Sequence, residues 1–74
     1  MSKADKMFED LGYKKEIWDD WIVFVHKKEN YHVQFHLNDG IIHTPLTDWG
    51  VSRNHYTLFL AIFEKMKELG WINE

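Results

Sequence analysis

Five histidines, His26, His32, His36, His43 and His55, are the residues of this chain whose type and number could do chemistry, because neutral imidazole is a common metal ligand. His32 and His36 alternate away from the apolar series Tyr31, Val33, Phe35 and Leu37, which places both on the less buried face of one strand. Four strand residues span about 13 Å, whereas a zinc–nitrogen bond is about 2.0–2.1 Å. These two cannot grip one ion. Cross-strand pairs are closer, since directly opposed Cβ atoms lie about 4.5–5.5 Å apart. A three-residue loop over 28–30 sets His26 opposite His32, and a two-residue turn at Asp39 and Gly40 sets His36 opposite His43. Each pair supplies two ligands and no third follows, so surface histidines on a sheet are the reading. No metal and no cofactor is assigned.

Other chemistries find less support. The chain has no cysteine, which removes thiolate ligands, thiol nucleophiles and disulfides. Ser2, Ser52 and the threonines lack the glycine-framed turn of a nucleophile elbow, and neither a phosphate-cradling glycine loop nor an H-E-x-x-H pattern occurs. Asp19 with Asp20 reads as turn chemistry rather than as an acid and a base. The chain is therefore read as a non-enzyme with no catalytic residues. A net charge of -3 is far from the basic stripe that phosphate backbones require, so nucleic acid is disfavoured as a partner. Asp10, Glu16 and their acidic neighbours are interrupted by Lys14 and Lys15 and read as a solvated face rather than a DNA mimic.

The elements that must position these residues follow from periodicity. Ser2 with Asp5 resembles a capping box, and Ala4, Met7, Phe8 and Leu11 recur at helical spacing, which predicts a helix over 3–11. Gly12 stops it. From Tyr13 to Thr44 the period becomes two, with β-branched and aromatic residues throughout, and three or four strands are predicted at about 13–18, 20–27, 31–37 and 41–44. Short breaks at 19–20, 28–30 and 38–40 imply sequential hairpins. Ser52 is the N-cap candidate of a second helix over 53–69, with Val51 and Tyr56 placed for a hydrophobic staple and Phe59, Ile62, Phe63, Met66 and Leu69 forming its apolar stripe. The expected fold is α+β: a short N-terminal helix, a three- to four-stranded antiparallel meander, and a C-terminal helix packed on the sheet. With 74 residues, 45% hydrophobic, and no linker or low-complexity tract, the chain is one small domain over 1–74.

The segment "EDLGY" at 9–13 and its echo "KELGW" at 67–71 both fit a helix end. Leu caps the helix, Gly follows in the left-handed region, and the aromatic folds back onto Phe8 or Met66. Two helix stops, not a duplicated motif, are expected.

The strand "WIVFV" at 21–25 is apolar on both faces, whereas a half-wet strand alternates as 31–37 does. Trp21, Val23 and Val25, or else Ile22 and Phe24, must be hidden by something other than the main core. A central strand with neighbouring side chains leaning over it would do this, as would a helix on each face. So would a contact surface for a twin subunit or another protein, since exposed apolar patches mark interaction sites. Ile22 and Phe24 are the first candidates for such contact. Trp18 and Trp49, in or beside loops, join them because tryptophan is enriched at interface hot spots, and His36 completes the set.

The ends "ADKMFEDLGY" and "EKMKELGW", enclosing a strand-rich middle, resemble a group of short proteins of bacteriophages and prophages of Gram-positive bacteria. The resemblance implies a protein that binds a host factor to inhibit or redirect it, or an accessory factor of the phage programme, and it carries no catalytic residues. The expected function is thus a small protein-binding module in the cytoplasm of a bacterial host, with homodimer formation as one form of that binding. No charged-then-apolar leader and no apolar run near 18 residues occur, so no membrane is expected. The alternative is a nucleic-acid-binding accessory protein using the histidines, Lys27, Lys28 and Arg53 with aromatic stacking. A hydrolase built on the histidines is the third reading.

Overall fold

The structure, a computed structural model, describes residues 1–28, 31–44 and 53–72, with side chains in the last segment from Tyr56 onward. Helix α1 spans Lys3–Asp10, strands β1 to β4 span Tyr13–Trp18, Trp21–His26, His32–His36 and Ile41–His43, and helix α2 spans Arg53–Glu68. The strands form one antiparallel sheet in the order β1-β2-β3-β4, as sequential hairpins require. Among the described residues this is the α+β meander expected from the sequence, with four of the three to four strands expected.

Helix α1 begins where Ser2 Oγ accepts the Asp5 N–H at 3.1 Å. The other half of a capping box is diverted, because the Asp5 carboxylate instead accepts from Lys65 and Lys15, each at 2.9 Å. Both helices stop at a glycine in the left-handed region, as the two Leu-Gly pairs predict. Gly12 and Gly70 have φ of 95° and 75°. At α2 both bonds of a Schellman motif form, Trp71 N–H to Met66 C=O at 2.9 Å and Gly70 N–H to Lys67 C=O at 3.0 Å. At α1 the Gly12 N–H reaches Glu9 C=O at 3.0 Å, while the Gly12 carbonyl accepts from Lys27 N–H and so hands the chain directly to the sheet. Tyr13 does fold back on Phe8, with rings edge to face at 5.7 Å.

Both helices cover the same face of the sheet. Phe8 from α1 and Leu58, Ala61 and Ile62 from α2 meet Tyr13, Phe24, Val33 and Phe35, with Ile22, Ile42, Met66 and Trp71 packed around them. Phe8 and Phe24 stack at 3.9 Å, and Phe35 sets its edge against both rings. The stripe of α2 differs from the expected one: Leu58, Ala61, Ile62 and Lys65 are buried, whereas Phe59 and Phe63 are exposed. The reason lies in residues 56–63, YTLFLAIF, which carry no charge. With large apolar side chains on opposite sides, periodicity selects no face there, and the inward face is decided by contact with Phe24 and Phe35.

A buried ion network ties these layers together. Lys65 Nζ is 2.9 Å from Asp5 Oδ1 and 3.3 Å from Glu68 Oε1, and it lies 5.8 Å from the centre of the Phe24 ring. Glu68 Oε2 accepts the Ala4 N–H at 2.9 Å, so α2 caps the first turn of α1. Burial pushes the Asp5 carboxyl up, but its bonds to Lys65 and Lys15 outweigh this and hold it below its ordinary value. Glu68 behaves alike: burial raises it, while the Ala4 N–H, Ser2 and Lys65 bring it lower.

Candidate functional site

The face of the sheet turned away from both helices carries Trp18, Trp21, Val23, Val25, His32, Gln34, His36, Ile41 and His43, as strand alternation and the observed register require. Trp21 pairs with Trp18 on one side and His36 on the other, Val23 with Glu16 and Gln34, and Val25 with Lys14 and His32. Ile22 and Phe24 lie on the opposite, helix-covered face. Phe24 is 1% exposed at the centre of the core and Ile22 packs against that core. Their candidacy as contact residues is therefore corrected: their own helices hide them, and any contact surface on this strand belongs to the other set. The candidate Trp49 lies outside the described residues, as do the expected cap at Ser52 and its staple partner Val51.

Why strand β2 can be apolar on both faces is visible in Trp18. Its indole Nε1 donates to Glu16 Oε1 at 2.8 Å, and its ring meets His32 edge to face at 5.2 Å. Trp18 is on β1 and His32 on β3, so the indole must cross β2 to reach it. It lies across the strand that carries Val23, which is buried as fully as any core residue although it is not part of the helix-covered core. The central position of β2 and this one leaning side chain hide Val23, while Val25 is half-buried and Trp21 stays exposed.

Beside it stands a column of three rings. Trp21 stacks on His36 at 4.0 Å with planes 5° apart, and His36 stacks on His43 at 4.6 Å with planes 27° apart. His36, between them, is 9% exposed, and its Nε2 is 3.1 Å from Gln34 Oε1. Trp21, Ile41 and His43 form the exposed part of this surface. Trp18 and His36, two of the expected contact residues, thus share one face, with Trp21, Ile41 and His43 added to them. Trp21 could have been found from sequence: the two-residue turn at Asp19 and Asp20 sets it opposite Trp18.

The register also decides the histidine question. His36 faces Ile41, and His43 faces Gln34, two residues from the expected pairing. A shift of two keeps side chains on the same face, which is why the two rings still meet. At the other hairpin Val25 faces His32, one residue from expectation, and His26 turns to the helix-covered face. There His26 sits edge to face with Tyr13 at 4.9 Å and its Nδ1 accepts from the Lys28 N–H at 3.2 Å. Stacked imidazoles direct their ring lone pairs side by side rather than to one point. Among the described residues no group of three histidine, aspartate or glutamate side chains is arranged to hold a metal ion.

A cleft of about 300 Å3 opens between α1 and β1, lined in part by Lys14, Lys15, Lys27 and Tyr13. Its Asp5–Lys15 contact belongs to the ion network that joins the helices. No helix among the described residues is long and apolar enough to cross a membrane. No protein-family model matches the chain, and neither curated proteins nor solved structures gave a match.

Proposed function

We propose that this chain is a non-enzymatic protein-binding module of phage or prophage origin, working in the bacterial cytoplasm on a host or phage protein. Its contact surface in this reading is the helix-free face of the sheet. The observation that carries the proposal is the ring arrangement on that face. Trp18 spread across β2, and Trp21, His36 and His43 in a column, form a preordered aromatic patch edged by Ile41. Rigid aromatic surface of this kind is what protein interfaces use as anchors, because little side-chain entropy remains to be lost on binding. The resemblance of the two chain ends supplies the phage context.

The same rings favour protein over single-stranded nucleic acid. Bases bind such sheets by stacking on open aromatic faces. Both faces of His36 are already occupied, by Trp21 and by His43. Net charge of -3 adds no attraction for phosphate.

The experiment is affinity capture from host lysate with the wild type and with Ile41→Asp, His43→Asp and Ile17→Asp variants, each checked by circular dichroism. Ile17 is exposed at the edge strand on the opposite face and serves as control. The expected result is a protein retained by wild type and by Ile17→Asp but lost from the other two. Retention by all of them removes this face as the site. A band shift of a single-stranded oligonucleotide at low salt, abolished by His43→Asp, replaces the reading with nucleic-acid binding.

A further inference from the structure

The outward face of α2 is a second surface that neither the core nor the sheet site uses. Tyr56, Phe59, Leu60 and Phe63 recur at i, i+3, i+4 and i+7 and are 59%, 54%, 42% and 43% exposed. They lie two positions, about half a helical turn, from the buried series Leu58, Ala61 and Ile62, and therefore on the opposite side of the helix. An eight-residue stretch of helix with large apolar side chains on two opposite sides is one that proteins normally cover on both.

We propose that this stripe is the interface of a homodimer, in which α2 packs antiparallel against α2 of a second copy about a two-fold axis between Phe59 and Leu60. Three features of the stripe select a second copy. Its spacing is symmetric about that axis, so that Tyr56 faces Phe63 of the second copy and Phe59 faces its Leu60. A two-fold contact must be self-complementary in this way. No charge would be desolvated at the centre, because residues 56–63 carry none. At the C-terminal flank Lys67 Nζ lies 5.4 Å over the Phe63 ring and 3.0 Å from Glu64 Oε1, which balances its charge within the same copy.

Large aromatic side chains offer roughly 150–250 Å2 each, so the exposed parts of these four residues amount to on the order of 400 Å2 per copy. Doubled, the contact is about 800 Å2, below the roughly 1,200 Å2 at which stable interfaces begin and in the range of weak, transient ones. A contact of that size forms a dimer that exchanges with monomer rather than an obligate one. The reading is independent of the sheet face, which the dimer leaves open on both copies, so each copy could hold its own partner.

Sedimentation velocity from micromolar to near-millimolar protein tests it. The wild type is expected to pass from monomer to dimer over that range, and Leu60→Glu and Phe59→Glu, with unchanged circular dichroism, to remain monomeric. A wild type that stays monomeric at the top of the range overturns the proposal, as does a dimer unaffected by both variants. The chain has no cysteine, so single thiols report location without background. With a short bismaleimide, Leu60→Cys should cross-link into a covalent dimer while Ile17→Cys, on the exposed edge strand β1, should not. Cross-linking through Ile17 alone would place the contact at the sheet edge and refute the helix pairing. Capture of a partner by the sheet face is read in a separate assay, so either reading can fail alone.

Discussion

Removing Asp5 should damage this protein more than removing the lysine it neutralises. Lys65 is nearly fully buried, and in an Asp5→Ala variant its ammonium keeps Glu68 Oε1 at 3.3 Å as its partner within the network. Stranding a buried charge costs about 3–5 kcal/mol, and the remaining Glu68 contact places this case at the low end, about 3 kcal/mol. In Lys65→Met the apolar chain stays in place near Phe24, Asp5 keeps Lys15 at 2.9 Å, and Glu68 keeps the Ala4 N–H at 2.9 Å. Both carboxylates remain satisfied, and the expected cost is about 1 kcal/mol. Removing both partners leaves no stranded ammonium, so the double variant should lie about 1–2 kcal/mol below wild type, well short of the sum. Urea unfolding of the four proteins closes the cycle, read as shifts in midpoint at constant slope. A domain of this size has about 3–5 kcal/mol in total, so Asp5→Ala keeps about 0–2 kcal/mol and should be unfolded without denaturant to between a few per cent and half. Equal costs for the two single variants, or strict additivity, would show that the network carries no buried charge worth compensating.

The same network sets the acid limit. Asp5 and Glu68 are held below their ordinary values of 3.8 and 4.5, so their contribution is fully present above those values and lost as pH falls through the lower folded-state ones. Unfolding midpoints should therefore be flat through pH 6 to about 5 and drop below about pH 4, with a smaller drop in the Asp5→Ala and Lys65→Met double variant. Gly12→Ala should cost more than Gly70→Ala by about 1 kcal/mol in thermal or urea unfolding: both have positive φ, but a Cβ at Gly12 would also lie 3.1 Å from His26 Nε2, whereas Gly70 faces open space. Val23→Ala should cost about 1–3 kcal/mol in urea unfolding despite lying outside the helix-covered core, because Trp18 closes over it. A surface-like cost below about 0.5 kcal/mol would mean that the second apolar row is not packed.

The order and kind of the elements were legible in the sequence because each was marked locally. Ser2 begins one helix, Gly12 and Gly70 end two, and alternation separates strands from both. The two-faced strand was legible as a puzzle but not as a solution. Whether Ile22 and Phe24 or Val23 and Val25 face the helices depends on register, and a hairpin shifted by one residue exchanges the sets. His26 shows the cost of that sensitivity: one residue of slip moved it from the face of His32 to beneath Gly12. The stripe of α2 was illegible for a different reason, since an uncharged run such as 56–63 offers helical spacing on every side. Lys65 shows the limit from the other direction. Its burial depends on Asp5, which is sixty residues away in the chain and close only once both helices are in place.

Glu68 taking the Ala4 N–H has a consequence for how the chain reaches this structure. The Ala4 N–H in the first turn of α1 is satisfied by a side chain 64 residues later in the chain, so that bond has no acceptor while β1 to β4 are being made. On the ribosome, where a chain emerges from its N-terminus, α1 and the sheet would wait as an unclosed layer until α2 arrives to cover Phe24 and Phe35 and to cap α1 in the same step. Closure of the fold thus depends on long-range contacts and cannot precede the synthesis of α2.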